Sequence, residues 1–139
     1  MPLVDPTALP HLPVQFMNDD HAEEARRVNA CVEAVETFRT GQADAAPVIA
    51  ALEALYAQSR AHFGREEAAM EAASFPALTA HQAEHTRILG ELGEAERRFR
   101  EDGEMEPIRA FLADLPAWLG DHIRNVDVPT ARYLAEWGG

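Results

Sequence analysis

Four stretches of this chain carry apolar residues at helical spacing, and nothing else in it repeats so regularly. Ala25, Val28, Val32, Val35 and Phe38 form the first stripe, and Val48, Leu52, Leu55, Ser59, His62 and Glu66 the second. His81, His85, Ile88, Leu92 and Phe99 mark the third, and Ile108, Phe111, Leu115, Trp118, Leu119, His122 and Val126 the fourth. Recurrence every three or four residues puts such side chains on one helix face. The breaks between stripes are short and rich in turn residues: Gly41, Ser74-Phe75-Pro76, and the polar run Glu101 to Glu106 with Gly103. No strand-like alternation and no internal repeat is present. Short links between amphipathic helices predict an all-α, antiparallel up-down-up-down four-helix bundle.

The spacing also predicts boundaries. Helices should open at the cap Asn18-Asp19-Asp20, at Pro47, near Ala77 (running to about Arg100) and at Pro107. Pro2, Pro6, Pro10 and Pro13 make residues 1–17 an irregular N-terminal arm, leaving 18–139 to the bundle. Pro116 removes a hydrogen bond from the fourth helix and predicts a kink. Asp127-Val128-Pro129 predicts its end, followed by a short tail whose Tyr133, Leu134 and Trp137 pack back onto the body.

With 139 residues, 47% of them hydrophobic, the chain suits one domain with a real core. Its net charge of -12, with arginine as the sole cationic residue type besides histidine, repels phosphate backbones and excludes nucleic acid as a partner. The same charge suits a solvated, monomeric protein, although it does not forbid an oligomer. No apolar run spans a bilayer and the N-terminus lacks the pattern of a signal peptide, so no membrane partner and a cytoplasmic location are expected. Cys31 is the single cysteine, which rules out an internal disulfide and a thiolate cluster and makes it a small core residue.

The histidines carry the chemistry. Six are present, at His11, His21, His62, His81, His85 and His122, and the five beyond the arm all fall on apolar stripes. One histidine on such a face is usually a satisfied core residue. Five neutral imidazoles in one core need five separate partners, whereas a metal site satisfies them together. His62 and Glu66 are four apart, as are His81 and His85, so each pair stands on one helical face. His122 and Asp127 are five apart, which rotates Asp127 well away unless the helix is ending there and its backbone turns the carboxylate inward. His81-Gln82-Ala83-Glu84-His85 alone also fits the H-x-x-E-H pattern of one class of zinc peptidases. That reading leaves His21, His62, Glu66, His122 and Asp127 unexplained, and a small closed bundle offers little room for a substrate cleft.

From Asn18 to Tyr133 the chain resembles the hemerythrins, the bacterial ones in particular. The matching pieces are His21, HFGREEAAM, FPALTAHQAEH and WLGDHIRNVD, which together make H…H-x-x-x-E…H-x-x-x-H…H-x-x-x-x-D. The resemblance implies two iron ions with an oxo or hydroxo bridge. His81, His85 and His122 would bind one iron, His21 and His62 the other, and Glu66 and Asp127 would bridge them. Three imidazoles and three bridges fill six positions on the first iron, whereas the second keeps one open. Reversible dioxygen binding follows, with the protein an oxygen carrier, store or sensor rather than an enzyme. Trp118, Leu119 and Ile123, around His122, are the expected oxygen pocket, and Leu119 matches the family's pocket leucine in its offset. The rival is a di-iron redox enzyme acting on peroxide, nitric oxide or dioxygen, although five imidazoles with two carboxylates differ from the carboxylate-rich sites of oxygen-activating bundles.

Some features depart from the family pattern. Glu24, one turn after His21, stands where an apolar residue is usual, so it either faces solvent or lies near the open iron. Pro116 is an unusual interruption, and the arm has no tryptophan before the first helix. His11 is expected on the surface, and Glu67 and Glu84 off the inner face in solvent.

Overall fold

A computed structural model describes residues 3–138; Met1, Pro2 and Gly139, and with them the expectation placed on Pro2, lie outside the described residues. Helix α1 (Gln15–Arg39) packs on α2 (Ala46–Ala72), α2 on α3 (Leu78–Asp102), α3 on α4 (Glu106–His122), and α4 returns to α1. The links are short, so neighbours run antiparallel, and no strand occurs among the described residues. This is the four-helix bundle that the stripes require.

Local chemistry sets most boundaries. Pro47 sits in the first turn of α2, where its missing N–H is no loss. Gly103, at φ 69°, ends α3 in the left-handed conformation, with its N–H on the Phe99 carbonyl and that of Glu104 on Arg98. The third helix therefore ends at Asp102, slightly past the expected Arg100. Helix α4 passes through Pro116 without a break, its Leu112, Leu115 and Leu119 buried on one face.

Two expectations fail. The first helix opens at Gln15, after Val14, with no side-chain cap. Asn18, expected as part of the cap, instead clasps the arm: its Oδ1 accepts from the Leu12 N–H and its Nδ2 donates to the Leu12 carbonyl, both at 2.8 Å. Asn29 holds Val4 in the same two-bond manner, at 2.8 and 2.7 Å. Both clasped residues are buried, so the arm lies along α1, and His11 on it is exposed, as expected.

The fourth helix also does not end at Asp127. One π turn, Ile123–Asp127, carries the chain directly into α5 (Val128–Gly138), and the Val128 N–H reaches back to the Ile123 carbonyl. Pro129 accounts for the irregularity: it has no N–H, and its ring would crowd the carbonyl of Asn125, four residues back, in a regular helix. The tail packs only in part. Ala131 and Leu134 are buried and the Tyr133 hydroxyl donates to the Ala73 carbonyl, but Trp137 is 59% exposed.

Antiparallel packing sorts the interior into two ends. The late half of α1 and α3 and the early half of α2 and α4 meet in an apolar core that includes Val32, Val35, Leu52, Phe99, Ile108 and Leu112. Phe38 and Phe99 meet edge to face there, 5.5 Å apart. Cys31 belongs to this core, its thiol pushed up to about 12 by burial. The opposite halves bring the polar stripe residues together at the other end.

Candidate metal centre

His21, early in α1, His62 and Glu66, late in α2, His81 and His85, early in α3, and His122 and Asp127, at the end of α4 and its π turn, converge there. All seven are at most 5% exposed. Their ligand atoms form two groups. His81, His85, His122 and Asp127 make one, and His21, His62 and Glu66 the other, with atoms in each group within 4.8 Å of one another.

The two carboxylates join the groups. Glu66 Oε1 lies 3.4 Å from His81 Nε2 and 3.3 Å from His85 Nε2, while its Oε2 lies 2.6 Å from His62 Nε2 and 3.6 Å from His21 Nε2. Asp127 Oδ1 is 3.2 Å from both His81 Nε2 and His122 Nε2, and its Oδ2 is 2.9 Å from His21 Nε2. Each carboxylate thus gives one oxygen to two of the three imidazoles on one side, and its other oxygen to the opposite set, to His62 and His21 for Glu66 and to His21 for Asp127. The π turn makes this possible for Asp127. Five residues along a regular α-helix would point it about 140° away from His122; the wider turn returns it to the same face.

Whether this is a finished polar core is answered by its hydrogen bonds. Among the described residues, eleven buried side-chain nitrogen and oxygen atoms lack a hydrogen-bond partner, and nine of them belong to the seven residues and to Glu24 beside them. They include Nε2 of His81, His85 and His122, Glu66 Oε1 and Asp127 Oδ1. An unpaired buried polar atom costs about 1–3 kcal/mol, so so many in one place need a partner that accepts several lone pairs at once. A metal ion does this, and imidazole with carboxylate suits several first-row transition metals, iron included.

Without metal the cluster holds protons. Burial lowers the affinity of His21 for a proton, but hydrogen bonding to Asp127 and Glu66 outweighs it and raises the group to about 9. His81 is raised to about 9 in the same way. His62 goes well above its ordinary value, with Glu24 and Glu66 outweighing burial. Burial pushes Glu66 and Asp127 up, and the surrounding imidazoles pull both well below the carboxylate range. The folded values of His21 and His81 exceed the unfolded value of about 6.5. Their contribution to the stability of the metal-free chain is therefore fully present below pH ~6.5 and lost as pH rises through about 9. Ring-proton NMR of the metal-free protein should show midpoints near 9 for both. Midpoints near 6.5 would show that the carboxylates do not hold them.

Behind the imidazoles stand groups that spacing did not reveal. Glu67 and Glu84, expected in solvent, both have partners. Glu67 Oε2 lies 3.1 Å from His85 Nδ1, reached because α2 packs on α3. The Trp118 indole N–H donates to Glu84 Oε1 at 2.8 Å, and Arg87 and Trp118 hold that carboxyl down at about 2. Thr130 donates to the Val126 carbonyl at 2.8 Å, which leaves its oxygen to accept from His81 Nδ1 at 3.3 Å. These acceptors fix which ring nitrogen faces inward. Trp118 stacks on His122 with centroids 4.7 Å apart, so this expected pocket residue bears on the three-imidazole side. Leu119 and Ile123 are buried beside it in sequence.

The Hemerythrin HHE cation binding domain family matches residues 12–128. The chain belongs to the hemerythrin family. It is 33% identical over 138 residues to a bacteriohemerythrin of Ralstonia nicotianae (strain ATCC BAA-1114 / GMI1000), covering 99% of this chain and 93% of that hemerythrin. It is 25% identical over 135 residues to a bacteriohemerythrin of Aquifex aeolicus (strain VF5), covering 96% of this chain and 99% of that one. No solved structure matches it significantly. No helix among the described residues of this hemerythrin is long and apolar enough to cross a membrane.

Proposed function

We propose that this hemerythrin binds dioxygen reversibly at a non-heme di-iron centre and serves as an oxygen carrier, store or sensor. The observation that carries the reading is the division of two buried carboxylates between unequal imidazole sets, three on one side and two on the other. In it, His81, His85 and His122 would hold one iron and His21 and His62 the other, Glu66 and Asp127 would serve both, and an oxo or hydroxo group would complete the pair. When bound, the iron pair supplies two electrons and one open position for a diatomic molecule. The chain's own residues supply the rest. The five rings give neutral donors, and three of them have a group behind that sets their orientation: Glu67 for His85, Thr130 for His81 and Glu24 for His62. Leu119 and Ile123 wall the centre with apolar surface and exclude water and acid. Trp118 braces His122 and ties α4 to α3 through Glu84. Dioxygen is the partner, the net charge of -12 suits a monomer, and a cytoplasmic location belongs to the same reading.

Anaerobic loading with ferrous iron, then oxygen titration in a spectrophotometer, tests this directly. Uptake of one oxygen per two irons, reversed by removing oxygen, is the expected result. Irreversible oxidation with no oxygenated species would sink it. Leu119→Ala should leave the iron content unchanged and hasten autoxidation by roughly tenfold, equivalent to ~1.4 kcal/mol off the barrier. The substitution also opens a core cavity costing about 2–5 kcal/mol of stability, so rates are compared well below its melting temperature. Equal autoxidation in the two proteins would remove Leu119 from the pocket. The alternative, a di-iron oxidoreductase, draws its support from the additional buried carboxylate Glu24 beside the two-imidazole set. Sustained turnover of peroxide or nitric oxide with a reductant would favour it.

A further inference from the structure

Three buried carboxylates occur among the described residues. Glu66 and Asp127 join the two imidazole sets; the third is Glu24 on α1. Its Oε1 accepts from the Ser59 hydroxyl at 3.1 Å, and its Oε2 lies 3.0 Å from His62 Nδ1. Neither of these two atoms has a hydrogen bond elsewhere, so they face each other alone. The opposite ring nitrogen, Nε2, is 2.6 Å from Glu66. His62 is therefore held between two carboxylates, and Glu24 stands behind the ring, on the side away from the cluster. That resolves its position: it does not face solvent, and it lies beside the two-imidazole set without occupying a ligand position.

Burying a carboxylate costs several kcal/mol and brings little stability in return. Apart from Ser59 and His62, Glu24 faces apolar surface. The small cavity beside it is lined by Leu55, Leu92, Phe111 and Leu115 among others, with no cation. The three-imidazole side has no equally buried carboxylate behind its rings. Thr130 behind His81 is neutral, and Glu67 behind His85 is 27% exposed, so water screens its charge. Glu24 is 5% exposed, and its field falls on the ring almost undiminished.

We infer that Glu24, anchored by Ser59, is a positioning residue for the two-imidazole half of the centre, where it fixes the Nδ1–H form of His62 and strengthens the donation of Nε2 to the metal. The inference rests on the di-iron reading. It follows that Glu24 acts on the half with fewer imidazole donors and a free position, whereas Glu67 acts on the other half.

Titration of the metal-free protein with cobalt(II), followed by absorption, tests this without oxygen chemistry. Two ions per chain should bind in the unsubstituted protein. Glu24→Gln, which keeps an acceptor but removes the charge, should weaken one of the two ions about tenfold, and Glu24→Leu up to about a hundredfold. Glu67→Gln should weaken the other ion, and Ser59→Ala should fall between the unsubstituted protein and Glu24→Leu. Two ions bound with unchanged affinity in both Glu24 variants would overturn the role of Glu24 and leave the di-iron reading standing. So would equal weakening of both ions, or Glu24→Gln and Glu67→Gln acting on the same ion. Fewer than two ions in the unsubstituted protein would overturn the di-iron reading itself.

Discussion

Glu66→Gln is expected to reduce the metal content from two ions per chain to one or none. Among the described residues, Glu66 is the only one whose oxygens approach four of the five clustered imidazoles, those of His21, His62, His81 and His85. Glutamine keeps the shape but presents one carbonyl oxygen and one NH2 group, and the latter cannot donate a lone pair to a metal. One half of the centre then loses its bridge. The metal-free protein suffers as well, because His21, His62 and His81, all raised above their ordinary values, lose a counter-charge. Breaking a buried charge pair by removing one partner costs about 3–5 kcal/mol. Elemental analysis of the purified variant and its denaturation midpoint near pH 7 check both parts. Two tightly bound ions in Glu66→Gln would show that Glu66 does not bridge.

The second large effect is thermal. Loading with ferrous iron should raise the melting temperature of the metal-free protein by about 10 °C or more. One ion at a thousandfold excess over its dissociation constant contributes about 4 kcal/mol. For a chain of this size, each kcal/mol moves the midpoint by roughly 3 °C. Some of the gain is offset, because metal displaces protons that pair with Glu66 and Asp127 in the metal-free form. Scans of chelator-treated and anaerobically reconstituted protein measure the difference. Coincident melting curves would mean that the seven residues satisfy one another and that no ion is required.

Parts of the site were legible because helices are regular. His62 with Glu66, and His81 with His85, are four apart inside long unbroken helices, where spacing alone fixes a shared face. Asp127 was legible only as an anomaly. The sequence shows Pro129 two residues on, but whether the chain ends there or widens its turn depends on what α5 packs against. Buried Ala131 and Leu134 make continuation the better course. Glu67 and Glu84 were not legible at all, and Glu24 only as a choice between solvent and the metal end. Each side chain finds its partner across a helix interface, at His62, His85 and Trp118, and no periodicity within one helix encodes that reach.

Asn18 shows the same limit at the chain's start. A residue suited to capping was free to do something else, because Leu12 needed burial and its backbone needed a partner. The sequence by itself determined four amphipathic helices, their antiparallel order and the shared faces of His62 with Glu66 and His81 with His85, because each depends on spacing along one helix and on the length of a link; His21, His122 and Asp127 joined the set through the resemblance to the hemerythrins. Tertiary packing alone decided how the carboxylates divide between the imidazole sets, which ring nitrogens turn inward, and which charge stands behind His62. Those outcomes depend on distances between helices, and interhelical distance is a property of the packed core rather than of any one segment.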